Sequence, residues 1–464
     1  MNLIEKDGLC IILAGAGTGK TYTIVEKIKY LIENNIYDPE KIVCITFSNE
    51  AANNLILRIG KILGDFDDNK IPIIRTFHAF SADLLRKYGD RIGINKEFKI
   101  LDPDQAKVIL NRNLKVNVNN CHKYISTIGT AKDLGITLAD FQDYLEKQLN
   151  SLNNIDLEKR IENLQFELQT LYLRKEFINK KKLVLDIKKL RRLFDVKRFV
   201  LAWNAYEKLK QKGNYQDYSD LNKNALLLLE KYPEISEDFD YIIIDEFQDT
   251  NKLQLDFVFR LANKGNITIV GDLNQSIYRF RGAYKENINL FKDFFNVKNN
   301  EVFNLDKSYR SPNRILRVAH KLILNNYKNK EECFFVENIH NREGEKIEIY
   351  ELNNAKEEAR KVIEIVKREF NTGIPLEEIC VMFRTHQQGK IIKHILDAAE
   401  IPYFSVSKAS LLKQKSVKTA KDYLIILEKL KRKTKGGELA WWELVYQLNF
   451  NSEDLLKIGR AIKS

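Results

Sequence analysis

Residues 9–21 read Leu-Cys-Ile-Ile-Leu-Ala-Gly-Ala-Gly-Thr-Gly-Lys-Thr. An apolar run that breaks at once into a glycine-rich turn and a Lys-Thr pair describes a buried strand, a phosphate-cradling loop and the first turn of a helix. Ala14 holds the position where such loops commonly begin with glycine. Gly15, Gly17 and Gly19 let the backbone curl so that its N–H groups face phosphate oxygens, and the following helix presents its positive end to the same point. Lys20 supplies a cation for the β- and γ-phosphates, and Thr21 a hydroxyl for Mg²⁺. The residues expected to contact a nucleotide are therefore Ala14, Gly15, Ala16, Gly17, Thr18, Gly19, Lys20, Thr21 and Tyr22.

Outward from this loop, a helix is expected to about Asn34. A second strand follows at 41-KIVCITF-47 and a second helix at about 49–63. Strand–helix alternation of this kind builds a parallel sheet. From about 83 to 231 long helical stretches replace it, with almost no strand signal. Buried strands return at 240-DYIIID-245 and 266-NITIVG-271. A helical block thus interrupts an α/β domain. A second α/β stretch is expected at 301–405, with strands near 346–351 and 378–383, and the chain after about 410 is helical and basic.

The second half of a nucleotide site should be an acidic pair at a strand end, and Asp245-Glu246 supplies it. Asp245 would hold Mg²⁺ through water, and Glu246 would polarise the attacking water. A further strand end at 267-ITIVGD-272 brings Asp272 and Gln275 to the same sheet edge, where Gln275 could sense the γ-phosphate.

Composition narrows the partners. The 464 residues carry 76 Lys and Arg against 64 Asp and Glu, a net charge of +12, which favours a polyanion. The excess is local: residues 171–212 hold 14 basic and four acidic side chains, and 413–435 hold nine and two. Each is read either as a nucleic-acid grip or as a solvated helix face. The five cysteines lie far apart with no CxxC pair, which points away from zinc ribbons and toward a reducing compartment. No apolar run approaches the ~18 residues of a membrane span, and no basic region precedes the first one. A cytoplasmic protein without a membrane partner is expected.

Six segments occur in order: AGAGTGKT (14–21), TFSNEAA (46–52), RTFHAF (75–80), DEFQDTN (245–251), VGDLNQSIYRFRGA (270–283) and SYRS (308–311). Together they resemble a superfamily 1 DNA helicase of the UvrD/Rep/PcrA type. The resemblance implies a RecA-like P-loop NTPase sheet (domain 1A) at 1–82 and 232–300, split by a helical insertion (1B) at 83–231. It implies part of a second RecA-like domain (2A) at 301–408 and the start of another insertion (2B) at 409–464. The stretch 217-DYSDL-221 resembles the end of 1B.

The same resemblance implies ATP and Mg²⁺ as cofactors and 3′→5′ movement on single-stranded DNA or at single/double-strand junctions. Lys20, Asp245, Glu246 and Gln275 would act catalytically. Gln248 would couple nucleotide state to domain closure, Tyr309 would stack on adenine, and Arg310 would reach the γ-phosphate as an arginine finger. Phe47, Tyr278 and Phe280 would serve as stacking platforms for bases, with Phe280 where the family commonly has Trp. Asn49, Thr76, His78 and Arg281 are the remaining DNA-contact candidates.

Three departures from the family pattern are expected to matter. No adenine-reading Gln is found ahead of the loop, Glu50 replaces a usual basic residue, and the returning half of 2A with its last two motifs is not found before Ser464. They leave three readings: part of a helicase, a split motor completed by a second polypeptide, or a non-motor module that binds nucleotide and DNA. A subunit of a helicase–nuclease complex is a further alternative.

Overall fold

The computed structural model describes residues 3–63, 71–114, 118–152, 156–173, 180–277, 286–330 and 333–405, with a few more between 417 and 428. Its strands are β1 (Cys10–Ala14), β2 (Ile42–Thr46), β3 (Ile73–Thr76), β4 (Lys99–Leu101), β5 (Tyr215–Asp217), β6 (Tyr241–Ile244), β7 (Ile267–Gly271), β8 (Val302–Leu305), β9 (Lys307–Ser308) and β10 (Glu337–Asn338). The helices are α1 (Lys20–Glu33), α2 (Asn49–Leu63), α3 (Phe77–Tyr88), α4 (Pro103–Leu114), α5 (Val118–Asp133), α6 (Leu138–Asn150), α7 (Leu157–Leu173), α8 (Lys180–Gly213), α9 (Tyr218–Lys231), α10 (Lys252–Leu261), α11 (Asn287–Phe295), α12 (Asn313–Ile323), α13 (Ala355–Asn371) and α14 (His386–Ala398).

Six strands form one parallel sheet in the order β3-β2-β6-β7-β1-β8. Its central strands are apolar at successive positions because both faces are covered. Ile11, Val43, Ile45, Ile242 and Ile244 enter one core with Phe80, Leu85, Phe257 and Phe291. Cys10, Ile12, Ile42, Cys44 and Ile243 enter the other with Ile24, Val25, Ile28 and Leu55. The mixed α/β class with a parallel sheet agrees with the sequence reading. The first five quoted motifs begin at the C-terminal ends of β1, β2, β3, β6 and β7, the edge where open α/β sheets bind ligands, and SYRS follows β8.

Two stretches fall outside the boundaries expected from sequence. β8 lies beyond the expected boundary at 300, yet Ile11 to Ala14 pair with Val302 to Leu305 at the edge of the first sheet. Helix α9, assigned by sequence to the insertion, buries Leu221, Ala225, Leu228 and Leu229 in the core of that same sheet. The insertion also contains two three-residue strands, Lys99–Leu101 and Tyr215–Asp217, paired in parallel. They are too short to show a periodicity. The insertion's own core is a Leu/Ile seam between α6, α7 and α8, with Leu145, Leu157, Ile161, Leu183, Ile187 and Leu190.

The chain divides into two compact units, Met1–Gly344 and Glu345–Ser464. In the second, Ala359 and Ile363 of α13 pack on Ile392 and Leu396 of α14. Each helix is started by a side-chain cap: Asn354 accepts from two backbone amides, and Thr385 forms a capping box with Gln388. Strands were expected at 346–351 and 378–383. Among the described residues, 346–351 and 379–383 instead run without a ladder partner. Alternation can mark a chain as extended, but a strand exists only with a neighbour to bond. Most of the expected 409–464 insertion lies outside the described residues. No helix among the described residues is long and apolar enough to cross a membrane.

Candidate active site

The loop after β1 curls as its glycines allow. Gly17 and Gly19 have φ of 73° and 88°, a conformation costly for any residue with a Cβ. Gly19 is the N-cap of α1 and brings no side chain to its free amides, so these remain directed at an incoming anion. Thr18 Oγ1 donates to Gly15 O at 2.9 Å and closes the turn from within. The loop is also tied from outside. Gly15 N–H donates to Leu305 O (3.3 Å), Ser308 Oγ to Ala16 O (3.1 Å) and Tyr309 N–H to Gly17 O (2.9 Å). A Cβ added to Gly17 would stand 2.6 Å from Arg310 Cβ, so only glycine fits there.

The acidic pair faces this loop. Lys20 Nζ donates to Glu246 Oε2 at 2.9 Å, and Gln248 Nε2 donates to the same oxygen at 2.7 Å. Glu246 has φ of 50°, a left-handed backbone that a non-glycine residue adopts only when its surroundings impose it. Gln248 Oε1 accepts from the Asp272 amide at 2.9 Å, and Gln275 Nε2 donates to Asp272 Oδ2 at 2.7 Å. A continuous chain of hydrogen bonds therefore runs Lys20–Glu246–Gln248–Asp272–Gln275. Burial pushes the Asp245 carboxyl up to about 6, with Glu246 adding to the rise and Lys20 opposing it. Burial likewise raises Asp272. A buried carboxyl held above its ordinary range beside a second carboxylate gains most from a divalent cation, which would remove both penalties. The donor set of uncapped amides, one ammonium, Thr21 and Asp245 fits a nucleotide phosphate with Mg²⁺.

Tyr22 and Tyr309 are 61% and 64% exposed, and the Tyr309 ring flanks Gly19. Arg310 is exposed in the same compact unit as the loop, its backbone held by Ser308 Oγ and Arg342.

A cleft of about 620 Å³ opens where the sheet edge meets the helical insertion. Phe47, Thr76 and His78 all line it. Thr76 Oγ1 also accepts from Ala79 N–H as the cap of α3, so its proton is what remains for a ligand. Asn49 is exposed at the start of α2, outside this lining. Tyr278, Phe280 and Arg281 lie outside the described residues.

The structure adds Tyr218, a residue the sequence reading passed over. Its ring meets His78 edge-on at 5.3 Å, is 42% exposed and lines the cleft. Its signal was present in the DYSDL stretch, noted only as a boundary. Burial lowers the His78 pKa, which keeps the ring neutral and able to stack.

Asp133 lines the same cleft, and burial pushes its carboxyl from 3.8 up to about 6, with Asp217 adding to the rise. The folded state thus holds this proton more tightly than the unfolded chain. Stability falls as pH rises from about 4 through about 6 and stays lower above. Asp133→Asn removes the penalty and is expected to stabilise the protein by about 1–2 kcal/mol at pH 7.5, with the gain vanishing below about pH 4. Urea denaturation at both pH values measures it. An equal effect at both would contradict the assignment.

Residues 2–296 match the family described as the UvrD/REP helicase N-terminal domain, and residues 303–436 match the UvrD-like helicase C-terminal domain. The chain is 30% identical over 434 residues to the protein named ATP-dependent DNA helicase Rep of Buchnera aphidicola, covering 92% of this chain and 60% of that one. It is 30% identical over 435 residues to the one named ATP-dependent DNA helicase PcrA of Staphylococcus aureus, covering 91% and 52%. The Staphylococcus epidermidis protein of the same name is 29% identical over 426 residues. The chain thus spans about half to three fifths of the length of the curated relatives it matches.

Proposed function

The chain belongs to the UvrD/REP helicase family, and from that premise we propose that it hydrolyses ATP with Mg²⁺ and uses the turnover to move 3′→5′ on single-stranded DNA in the cytoplasm. The observation that carries this reading is a shared edge. The loop with Lys20, the acidic pair, Phe47 and His78 all leave the same ends of one parallel sheet, and Tyr218, from the insertion's short strand pair, meets His78 in the same cleft.

The roles follow from the contacts. The amides at the start of α1 and Lys20 take the phosphates, while Thr21 and Asp245 hold the metal. Bound Mg²⁺ supplies charge neutralisation at the transferring phosphoryl group. Once Lys20 turns to phosphate, Glu246 loses one of its two donors and is free to orient water, still held by Gln248. Gln248 and Gln275 pass that change to the strand end at Asp272. Tyr309 offers a face to adenine, and Arg310 stands beside the loop to meet developing charge. In the cleft, sequence-tolerant binding needs π faces for bases and donors for phosphates, and Phe47, His78, Tyr218 and Thr76 provide both.

The test is phosphate release by the purified chain with and without oligodeoxythymidylate. Stimulation of at least about tenfold is the expected result. ATP turnover indifferent to DNA would leave a nucleotide-binding module instead of a motor. Unwinding at single/double-strand junctions is assigned to the same protein, with a second polypeptide as the natural complement where unwinding needs one.

The insertion is proposed to grip the duplex through α8, whose Lys188, Lys189, Arg191 and Arg192 are exposed. Replacing Arg191 and Arg192 by Gln is expected to lower the slope of log Kobs against log salt by about 1–2 for a junction substrate. The slope for a single strand should stay unchanged. Equal slopes for variant and wild type on the junction would assign this face to solvent.

A further inference from the structure

Helices α3 and α9 start side by side at the cleft and run in the same direction away from it. The His78 and Tyr218 rings meet in their first turns, 5.3 Å between centroids. Past their far ends, Tyr232 Oη donates to Arg91 O at 3.0 Å. Between these points the two helices bury Phe80, Leu84 and Leu85 with Leu221, Ala225 and Leu228 in one apolar core. A polar pair interrupts it. Ser81 Oγ donates to Asn222 Oδ1 at 3.0 Å, and the two residues are 0% and 1% exposed. Asn222 Nδ2 is buried with no hydrogen-bond partner among the described residues. An unpaired buried donor opposes stability, and two aliphatic side chains would bury more apolar surface, so packing alone does not account for the pair. What it supplies is register. Apolar ridges can slide along one another, whereas a hydrogen bond in a water-free interior closes in one alignment only.

Ser81 lies three residues beyond His78 and Asn222 four beyond Tyr218, so each sits on the same helix face one turn deeper than the ring it follows. The alignment in which Ser81 meets Asn222 is the one in which the two rings meet edge-on. A slip of one turn would carry Tyr218 about 5.4 Å along α3 and break that contact. We propose that Ser81 and Asn222 are positioning residues that lock α9 against α3 and so hold the His78–Tyr218 pair in place for single-stranded DNA. This rests on the reading of the cleft as the single-strand site. Neither residue lines the cleft, so the pair acts on DNA only through the rings.

The test measures oligodeoxythymidylate affinity, DNA-free ATP turnover and urea unfolding of the full chain. It compares wild type with Asn222→Leu and Ser81→Ala, each alone and combined with Tyr218→Ala, and with Tyr218→Ala by itself. Asn222→Leu removes the hydrogen bond and the orphaned donor together and leaves an apolar side chain of similar size. It is expected to be at least as stable as wild type and to keep DNA-free turnover within about twofold, yet to bind DNA about three- to tenfold more weakly. In the Tyr218→Ala background the same substitution is expected to change affinity by less than about twofold, because the ring through which it acts is gone. Ser81→Ala leaves both polar atoms of Asn222 unpaired. It is expected to weaken binding in the same ring-dependent way with some loss of stability, and it supplies the result if the leucine variant does not fold. Unchanged affinity in the folded variant overturns the positioning role. Equal loss with and without the Tyr218 ring marks a general structural defect and also overturns it. Tyr218→Ala binding DNA as tightly as wild type would instead overturn the cleft as the single-strand site, and the proposal with it.

Discussion

Replacing Lys20 by Ala is expected to lower ATP turnover by about 10²–10³-fold or more, the scale on which a single preorganised charge acts at a transition state. The effect should fall mainly on kcat. The cradle of amides at Gly17, Gly19 and the start of α1 is built from backbone and survives the substitution, so nucleotide affinity should drop far less. Without nucleotide, Lys20 also serves the acidic pair as a counter-charge, donating to Glu246 and opposing the rise of Asp245. Its loss removes the cation that opposes the rise of Asp245, which should then rise above about 6. The variant should therefore need more Mg²⁺ for whatever turnover remains, and the shortfall should deepen as pH falls.

Glu246→Gln is the informative companion. It keeps a side chain that can still meet Gln248 and removes only the base, so nucleotide binding should persist while turnover is lost to a similar degree. Phosphate release and fluorescent-nucleotide binding, run on both variants, check this. Lys20→Ala turnover within tenfold of wild type would remove the loop from catalysis, however well its geometry fits.

How this site could be read from sequence, and where reading failed, follows from what each feature depends on. β1 and β6 are covered on both faces, so Ile11, Ile12 and Ile242 to Ile244 form unbroken apolar runs that no surface element would carry. The loop glycines and the Asp245-Glu246 pair are local chemistry and were equally visible. β3 and β8 were not, because four residues such as Val302–Leu305, partly exposed at an edge, carry no usable period. The extended stretches at 346–351 and 379–383 show the converse, since an alternating pattern cannot name a partner.

Charge was the least legible. The basic excess counted over 171–212 includes Lys210, which is 2% exposed and belongs to no surface at all. Its partners are Glu207, Asp217 and Asp220, and the same three carboxylates bind Lys132 from another helix. Nothing in a linear count relates residue 132 to residues 207–220.

That buried knot supports the second large expectation: Lys132→Met should destabilise the first unit by about 3–5 kcal/mol. Lys132 Nζ lies 2.8, 2.9 and 2.6 Å from Glu207, Asp217 and Asp220, and its side chain is 4% exposed. Lys210 bonds the same three, so two cations face three carboxylates. Methionine matches the volume but leaves one cation among three anions, of which Asp217 and Asp220 are largely buried. Desolvation and the neighbouring Asp217 already push Asp220 upward, while the two lysines hold Asp217 below its ordinary range. Removing a lysine turns both against folding.

Glu207→Gln should behave differently. Its side chain is about a third exposed, and the change balances two cations with two anions, so a cost of about 1 kcal/mol is expected. Similar losses for the two variants in urea denaturation would refute a charge-balanced knot. The consequence reaches the cleft. Asp217 and Asp220 form the capping box of α9, Tyr218 and Ser219 lie between them in the first turn, and Tyr218 stands against His78. Below its melting point, Lys132→Met should therefore bind oligodeoxythymidylate more weakly than wild type while Glu207→Gln does not, because only the first loosens the helix end that presents the ring.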